Sequence, residues 1–464
     1  MGAYDRAPFR WTEQQQETLP VQVTGALPEW LRGQLVRTAP AVFERAGWRA
    51  GHLFDGLSLL YGFTLEPTGV RFRQRLLESK TMAAIDRGKP ISGFGTTLER
   101  SWLQRLVRPI PPVTDNTNVN VLPFQEHWLA LTESQEQHCI DRDSLSSRGV
   151  FAYDDELPRV MLMSAHPQPD PRGGGLVNVG TVFGRTSHWV VYRQAYASRA
   201  RVIEGKLPLP RVPYLHSFGV TKKHVVLIDH PLAANPLRML FSNRGYIDHF
   251  RWKPQRATRL WKLERRGGQF SAYETEPLFC FHTVSAFEDG EDVVLDLLAY
   301  DDPQVVHAFR TETLAQGVFP AFMPRYLRAR LKPAKRHVEL ETLSDTRFEF
   351  PSVAPARQAP YRHTWGVHLA EDAAGAWSSE VVHVGPHGAA RFAEPGFTWG
   401  EPVFVARPGA SEEDDGVLLT LGHSSQRDVS VLAVLDARSL EPRARCEVPL
   451  SLPLGFHGGF RATH

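Results

Sequence analysis

Short apolar runs broken by turn clusters recur along almost the whole chain, and few stretches sustain a 3.6-residue period. Trp128-Leu129-Ala130-Leu131-Thr132 leads through Glu133 to Ile140 and an Asp-rich reversal at Asp141-Arg142-Asp143-Ser144. The arrangement returns at 216–228, with Lys222-Lys223 between two runs, and at 283–300, around Glu288-Asp289-Gly290-Glu291-Asp292. It returns once more at 416–440. Many short strands with regularly spaced turns predict an all-β architecture: a sandwich, a barrel or a propeller. No Pro/Gly/Ser-rich linker divides the 464 residues, and Gly173-Gly174-Gly175 reads as a loop within the fold. A single domain over 1–464 is expected.

Four histidines choose among these architectures. His166 stands in Ser164-Ala165-His166-Pro167, His216 in Tyr214-Leu215-His216-Ser217-Phe218-Gly219, His282 in Phe281-His282-Thr283 and His457 in Gly455-Phe456-His457-Gly458-Gly459, each in a strand-like context. They follow one another at intervals of 50, 66 and 175 residues, on the order of one propeller blade or several. Inner strands of successive blades all face one axis, so a propeller brings such residues together without any being near in sequence. Neutral imidazoles converging from distant segments are what a mononuclear transition-metal site requires. The chain has 19 histidines, and two closer-spaced pairs do not make a ligand pair. His383 and His387 have helical metal-pair spacing, but Gly385-Pro386 between them forbids the helix. His363 and His368 have no standard ligand spacing.

Bulk properties mainly exclude. With 42% hydrophobic and 22% charged residues the chain can bury a large core, and a net charge of +2 gives no global field directed at nucleic acid. Three scattered cysteines, Cys139, Cys280 and Cys446, form neither a disulfide framework nor a CxxC zinc motif. The polar opening, Met1 to Thr18, lacks the apolar run of a signal peptide, and no stretch is long enough to span a bilayer. A cytoplasmic location is expected, with no obligate protein partner.

One segment departs from the β pattern. Within 97–112, Leu98, Trp102, Leu103 and Leu106 fall on one helical face, Arg100, Arg105 and Arg108 lie toward its rim or the other face, and Pro109-Ile110-Pro111-Pro112 ends it. A short basic amphipathic helix with a tryptophan reads as a peripheral membrane contact. Packing against its own domain is the competing reading.

The chain also resembles the carotenoid cleavage oxygenase family, essentially end to end. The likeness is carried by Val23-Thr24-Gly25-Ala26-Leu27-Pro28, Gly33-Gln34-Leu35-Val36-Arg37-Thr38-Ala39-Pro40 and His52-Leu53-Phe54-Asp55-Gly56. It continues through Thr114-Asp115-Asn116, Asn118-Val119-Asn120-Val121, Phe348-Glu349-Phe350-Pro351, Glu401-Pro402-Val403-Phe404-Val405, Glu412-Glu413-Asp414-Asp415-Gly416 and Phe456-His457-Gly458. It is strongest toward the branch holding animal retinoid-forming enzymes and their bacterial relatives.

The resemblance implies a seven-bladed β-propeller with a helical and loop cap over an axis that bears one non-haem Fe(II) per chain. It places the four iron ligands on His166, His216, His282 and His457, and three outer carboxylates on Glu133, Glu349 and Glu401. Such carboxylates have a physical rationale, because an acceptor on the far ring N–H fixes a ligating imidazole's tautomer and aim. The implied reaction adds O2 across a C=C bond of a hydrophobic polyene, a carotenoid or apocarotenoid, and gives two aldehydes. By the same resemblance Thr132 leans over the open coordination position, and Phe54 and Phe94 line the substrate tunnel or are ordinary core aromatics. Relatives that cleave stilbenes hold the phenol with a Lys and a Tyr, where this chain has Thr132 and Phe94, so a polyene is favoured. Animal relatives carry Pro-Asp-Pro-Cys near the amphipathic segment, whereas Leu98 to Pro112 holds no Cys and excludes acylation there. The alternatives are stilbene cleavage, retinoid isomerisation and, from another class, a metal-free propeller that serves as an interaction module.

Overall fold

The computed structural model describes residues 18–97, 113–158, 161–240, 242, 244–316, 323–354, 360–371, 377–424 and 426–463. The amphipathic segment expected at 97–112 lies outside them except for Thr97. Strand dominates. Antiparallel meanders succeed one another along the chain, each built from the apolar runs and reversals visible in the sequence. Asn120–Phe124, His127–Thr132, Ser134–Ile140 and Ser147–Val150 form one such sheet. Gly175–Val182, Ser187–Ala195 and Arg201–Leu209, edged by Met161–Met163 and Gln168–Pro169, form the next. Two further four-stranded sheets follow, over 219–275 and 279–344. A ten-stranded sheet over 349–448 also takes in the early strand Gln22–Gly25, and its two antiparallel halves meet at one parallel pairing, Ser379 with Thr398.

The two ends of the fold are sewn together twice. Gly33–Val42 pairs with Gly458–Ala462, setting Arg37 opposite Gly458, and Gln22–Gly25 pairs with Pro442–Val448. The core lies between sheets rather than within one. Val36, Leu60, Trp128 and Ala130 join a sheet of Leu19–Pro20, Gly33–Val42, Leu57–Glu66, Gly69–Leu76 and Gly458–Ala462 to the sheet over 120–150, and Val177, Trp189, Val225 and Leu263 join the sheet over 161–209 to that over 219–275. Leu59, Phe63, Leu432 and Val434 close the ten-stranded sheet onto the sheet that holds Gly33–Val42. Faces buried on both sides favour the Val- and Leu-rich runs seen in these strands. Short elements outside these sheets include the helix Lys80–Asp86 and a small sheet of Val212–Pro213, Leu232–Ala234 and Phe250–Trp252.

One expectation about the histidines is corrected. Only His282 lies within a strand, Phe279–Asp289. His166 lies between Met161–Met163 and Gln168–Pro169, His216 just before Gly219–Val220, and His457 immediately before Gly458–Ala462. Regular strand sends side chains alternately to opposite faces, and converging rings need directions that a continuous ladder does not supply. Even His282 sits where the ladder slips: Cys280 pairs with Ala299 but Thr283 with Leu297, which leaves an extra residue on its strand. The same slip follows Glu349, with Phe350 at φ 54°.

Candidate metal centre

The four histidines singled out from the sequence meet. One ring nitrogen from each lies within 4.8 Å of the others, and relative exposures are 9, 5, 8 and 7% for His166, His216, His282 and His457. The Nε2 atoms of His166 and His216 are 2.9 Å apart, and those of His282 and His457 are 3.2 Å apart. With metal–nitrogen bonds of about 2.1 Å, neighbouring ligand atoms stand about 3 Å apart, so both pairs fit a shared ion.

Local packing explains the aim of each ring. The turn at Ser164–His166 is pinned by Asn178 Nδ2 donating to Ser164 O (3.0 Å) and Asn120 Nδ2 to Ala165 O (2.9 Å). Ser164 Oγ donates to His216 O. Ser217 Oγ in turn donates to Phe281 O (2.7 Å) and accepts from Thr283 N (2.8 Å), tying the His216 loop to the strand of His282. At the last ligand, a Cβ on Gly458 would lie 2.6 Å from Arg37 Cγ, so only glycine lets this strand approach Gly33–Val42 so closely.

The three expected carboxylates each take one imidazole. His216 Nδ1 meets Glu133 Oε1 at 2.6 Å, His282 Nδ1 meets Glu349 Oε2 at 2.5 Å, and His457 Nδ1 meets Glu401 Oε1 at 2.7 Å. Among the described residues no carboxylate hydrogen-bonds the His166 ring. Nδ1–H donation leaves Nε2 of the other three rings as a lone pair. His282 and His457 thus bring two lone pairs to 3.2 Å, an arrangement that a cation relieves. Burial, reinforced by the other three imidazoles, pushes the His166 pKa well below its ordinary value. Burial likewise lowers His216, and His457 to about 4, against the opposing pull of their glutamates. Burial pushes Glu349 and Glu401 up, but their imidazole and other hydrogen-bond partners outweigh it and hold both below the usual range. Neutral ligands beside anionic acceptors suit a divalent transition metal.

Sequence reading missed a further layer. Tyr214 Oη donates to Glu133 (3.0 Å), Tyr300 Oη to Glu349 (2.7 Å), and the buried Arg37 pairs with Glu401 (3.2 Å). Arg37 stands inside a motif that carries the family resemblance, and Tyr214 inside the local context that marks His216; Tyr300 carried no signal.

His216, His282, His457, Glu133 and Glu349 line one wall of a cavity of about 670 Å³ whose surface is mostly apolar. His166 is not among its lining residues. Thr132 lines it, as do Phe54 and Phe94, whose ring centroids lie 4.9 Å apart. Phe281, Phe350 and Phe456, not foreseen, complete the aromatic wall by the metal cluster. The Phe54-Asp55-Gly56 motif has a structural explanation. The Asp55 carboxylate accepts from Phe94 N (2.5 Å), Gly95 N (2.9 Å) and Thr96 Oγ1 (2.7 Å), and so fixes the loop that presents Phe94. Asn118 Nδ2 clasps Phe54 O (2.9 Å) and Gly56 O (2.7 Å) from below.

Residues 9–462 match the family described as retinal pigment epithelial membrane protein, which also holds the carotenoid cleavage oxygenases. The chain belongs to this family. Its similarity to carotenoid cleavage oxygenases extends to the ferret (Mustela putorius furo) mitochondrial carotenoid-cleaving dioxygenase, 29% identical with 97% of this chain and 94% of that protein covered. The rat (Rattus norvegicus) beta,beta-carotene 15,15'-dioxygenase is 26% identical, with 97% and 90% covered. In fold, the chain is similar to the cobalt-substituted apocarotenoid oxygenase of Synechocystis, with a TM-score of 0.87, 23% identity and 99% of both chains covered.

Proposed function

We propose that this chain is a non-haem iron(II) dioxygenase that cleaves a C=C bond of a carotenoid or apocarotenoid, with both atoms of O2 ending in two aldehyde products. The carrying observation is the meeting of four imidazoles, three of which line the wall of a large, mostly apolar cavity. His166, His216, His282 and His457 would hold the ion, which supplies O2 activation when bound. The protein's own residues position and exclude. Glu133, Glu349 and Glu401 keep three ring N–H groups turned away from the metal. Thr132 presents a small side chain beside Glu133 and limits where O2 can sit. Phe54 and Phe94 offer flat apolar surfaces along which a rigid polyene slides until one double bond stands opposite the metal cluster. Neither Thr132 nor Phe94 provides the charge that a phenolate needs, which favours a polyene over a stilbene. No proton needs to move in this reaction, which matches a site whose nearest acids are already engaged with imidazoles.

The same reading takes residues 1–464 as one seven-bladed propeller domain. Five separate meanders and the two halves of the ten-stranded sheet support that count, as do the apolar layers between neighbours. It also takes the segment 97–112 as a peripheral membrane contact that collects substrate. Leu237, which lines the cavity and is 64% exposed, supports an entrance facing lipid. Among the described residues no helix is long and apolar enough to cross a membrane.

The test is anaerobic loading with Fe(II), then incubation under labelled O2 with β-carotene, an apocarotenal and resveratrol, with products identified by mass. Labelled aldehydes from a polyene are expected. Consumption of resveratrol alone would overturn the substrate assignment.

A further inference from the structure

The three carboxylates around the histidines are not equivalent. Glu133 and Glu349 accept from neutral tyrosine hydroxyls, whereas Glu401 accepts from a cation. Arg37 is 1% exposed, and its Nη1 lies 3.2 Å from Glu401 Oε2 and 3.1 Å from Glu401 O, with Nη2 3.3 Å from Phe456 O. Among the described residues its buried Nε has no hydrogen-bond partner. Bracing two carbonyls does not require a charge, and a buried guanidinium carries a desolvation cost that a neutral amide would avoid. The distinctive contribution of Arg37 is its charge.

Each glutamate acts here as a hydrogen-bond acceptor and counts as one negative charge. Three carboxylates against one guanidinium, around four neutral imidazoles, leave two uncompensated negative charges. That balance matches a divalent ion and leaves a trivalent one with an unmatched charge in an apolar interior, where charge is poorly screened.

We propose that Arg37 is a positioning residue that sets the charge balance of the histidine–glutamate cluster and so holds the bound iron in its ferrous form. The inference rests on the reading of these histidines as an iron site. Taking up one electron converts the ferric to the ferrous ion, and Arg37, one carboxylate and one imidazole away, favours the reduced side. Removing its charge tips the couple toward ferric.

The experiment is a redox titration of the iron-loaded full chain, followed by the paramagnetic resonance of the ferric ion. It compares wild type with Arg37→Gln and Arg37→Lys, each checked for fold by circular dichroism. Arg37→Gln is expected to raise the ferric-to-ferrous ratio at a given potential about tenfold, a midpoint lowered by about 59 mV for a one-electron couple. Arg37→Lys is expected to stay close to wild type. A folded Arg37→Gln with an unmoved midpoint, or a lysine variant displaced as far as the glutamine one, overturns the inference. If Arg37→Gln does not fold, Glu133→Gln tests the same balance from the other side. Its midpoint is expected to rise, and an unmoved one again overturns the proposal. Failure of the wild type to take up ferrous ion would instead overturn the metal-site reading itself.

Discussion

At the scale of single residues, the glutamates decide how firmly the imidazoles are aimed. Glu349→Gln keeps an acceptor for His282 Nδ1 but loses the charge, and metal affinity is expected to fall about 10- to 100-fold, read by equilibrium dialysis with Co(II). His282→Ala removes a ligand atom and is expected to abolish stoichiometric uptake; full uptake by that variant would strike His282 from the ligand set. Histidines away from the metal cluster govern acid stability. His52 donates from Nε2 to Val306 O (2.8 Å) and accepts at Nδ1 from Phe54 N (3.1 Å), and burial lowers its pKa to about 3; His230 is lowered by burial to about 4. In the unfolded chain both titrate near 6.5, so between the two values the unfolded state binds the extra protons. Stability is therefore complete above about pH 6.5 and is lost on acidification toward pH 3–4, by about 5 kcal/mol for His52 alone. Urea midpoints should hold from pH 7.5 to about 6.5 and fall steadily from there to pH 5, and a profile flat throughout would show that these rings are not buried neutral. The four converging histidines were legible because each sits in its own local motif. Arg37 and Tyr300 were not, since an arginine or tyrosine in an apolar strand looks the same whether it faces a carboxylate or solvent.

At the scale of elements, the strands and their reversals could be read from apolar runs, and their irregularities could not. The strands on either side of Glu133 and of Gly290 fall where the sequence placed them. The slips that aim His282 and Glu349 depend on the partner strand, which a local pattern does not contain. The loop that presents Phe94 offers a direct test of element-level design. Asp55→Ala strands two backbone N–H groups and the Thr96 hydroxyl, and is expected to cost about 1–3 kcal/mol of stability. Because the loop carries Phe94, KM for a polyene should rise more than kcat falls. Equal losses in both would place Phe94 outside the substrate path.

At the scale of the whole molecule, an all-β fold followed from the sequence, while the order in which sheets meet did not. The pairing of Gly33–Val42 with Gly458–Ala462 joins segments more than 400 residues apart, a contact that no window of sequence reveals. Metal removal should be felt at this seam, because His457 directly precedes one strand and Arg37 lies on the other. Hydrogen exchange of the amides in 33–42 and 458–462 is expected to quicken on chelation more than that in 187–209; uniform protection loss would count against a local effect. Whatever holds His457 in place would therefore also act as a clasp on the paired ends of the fold. On the proposed reading, an ion bound there would lengthen the lifetime of the paired ends, and a cell short of that ion would carry a loosened, protease-prone form rather than merely an idle one.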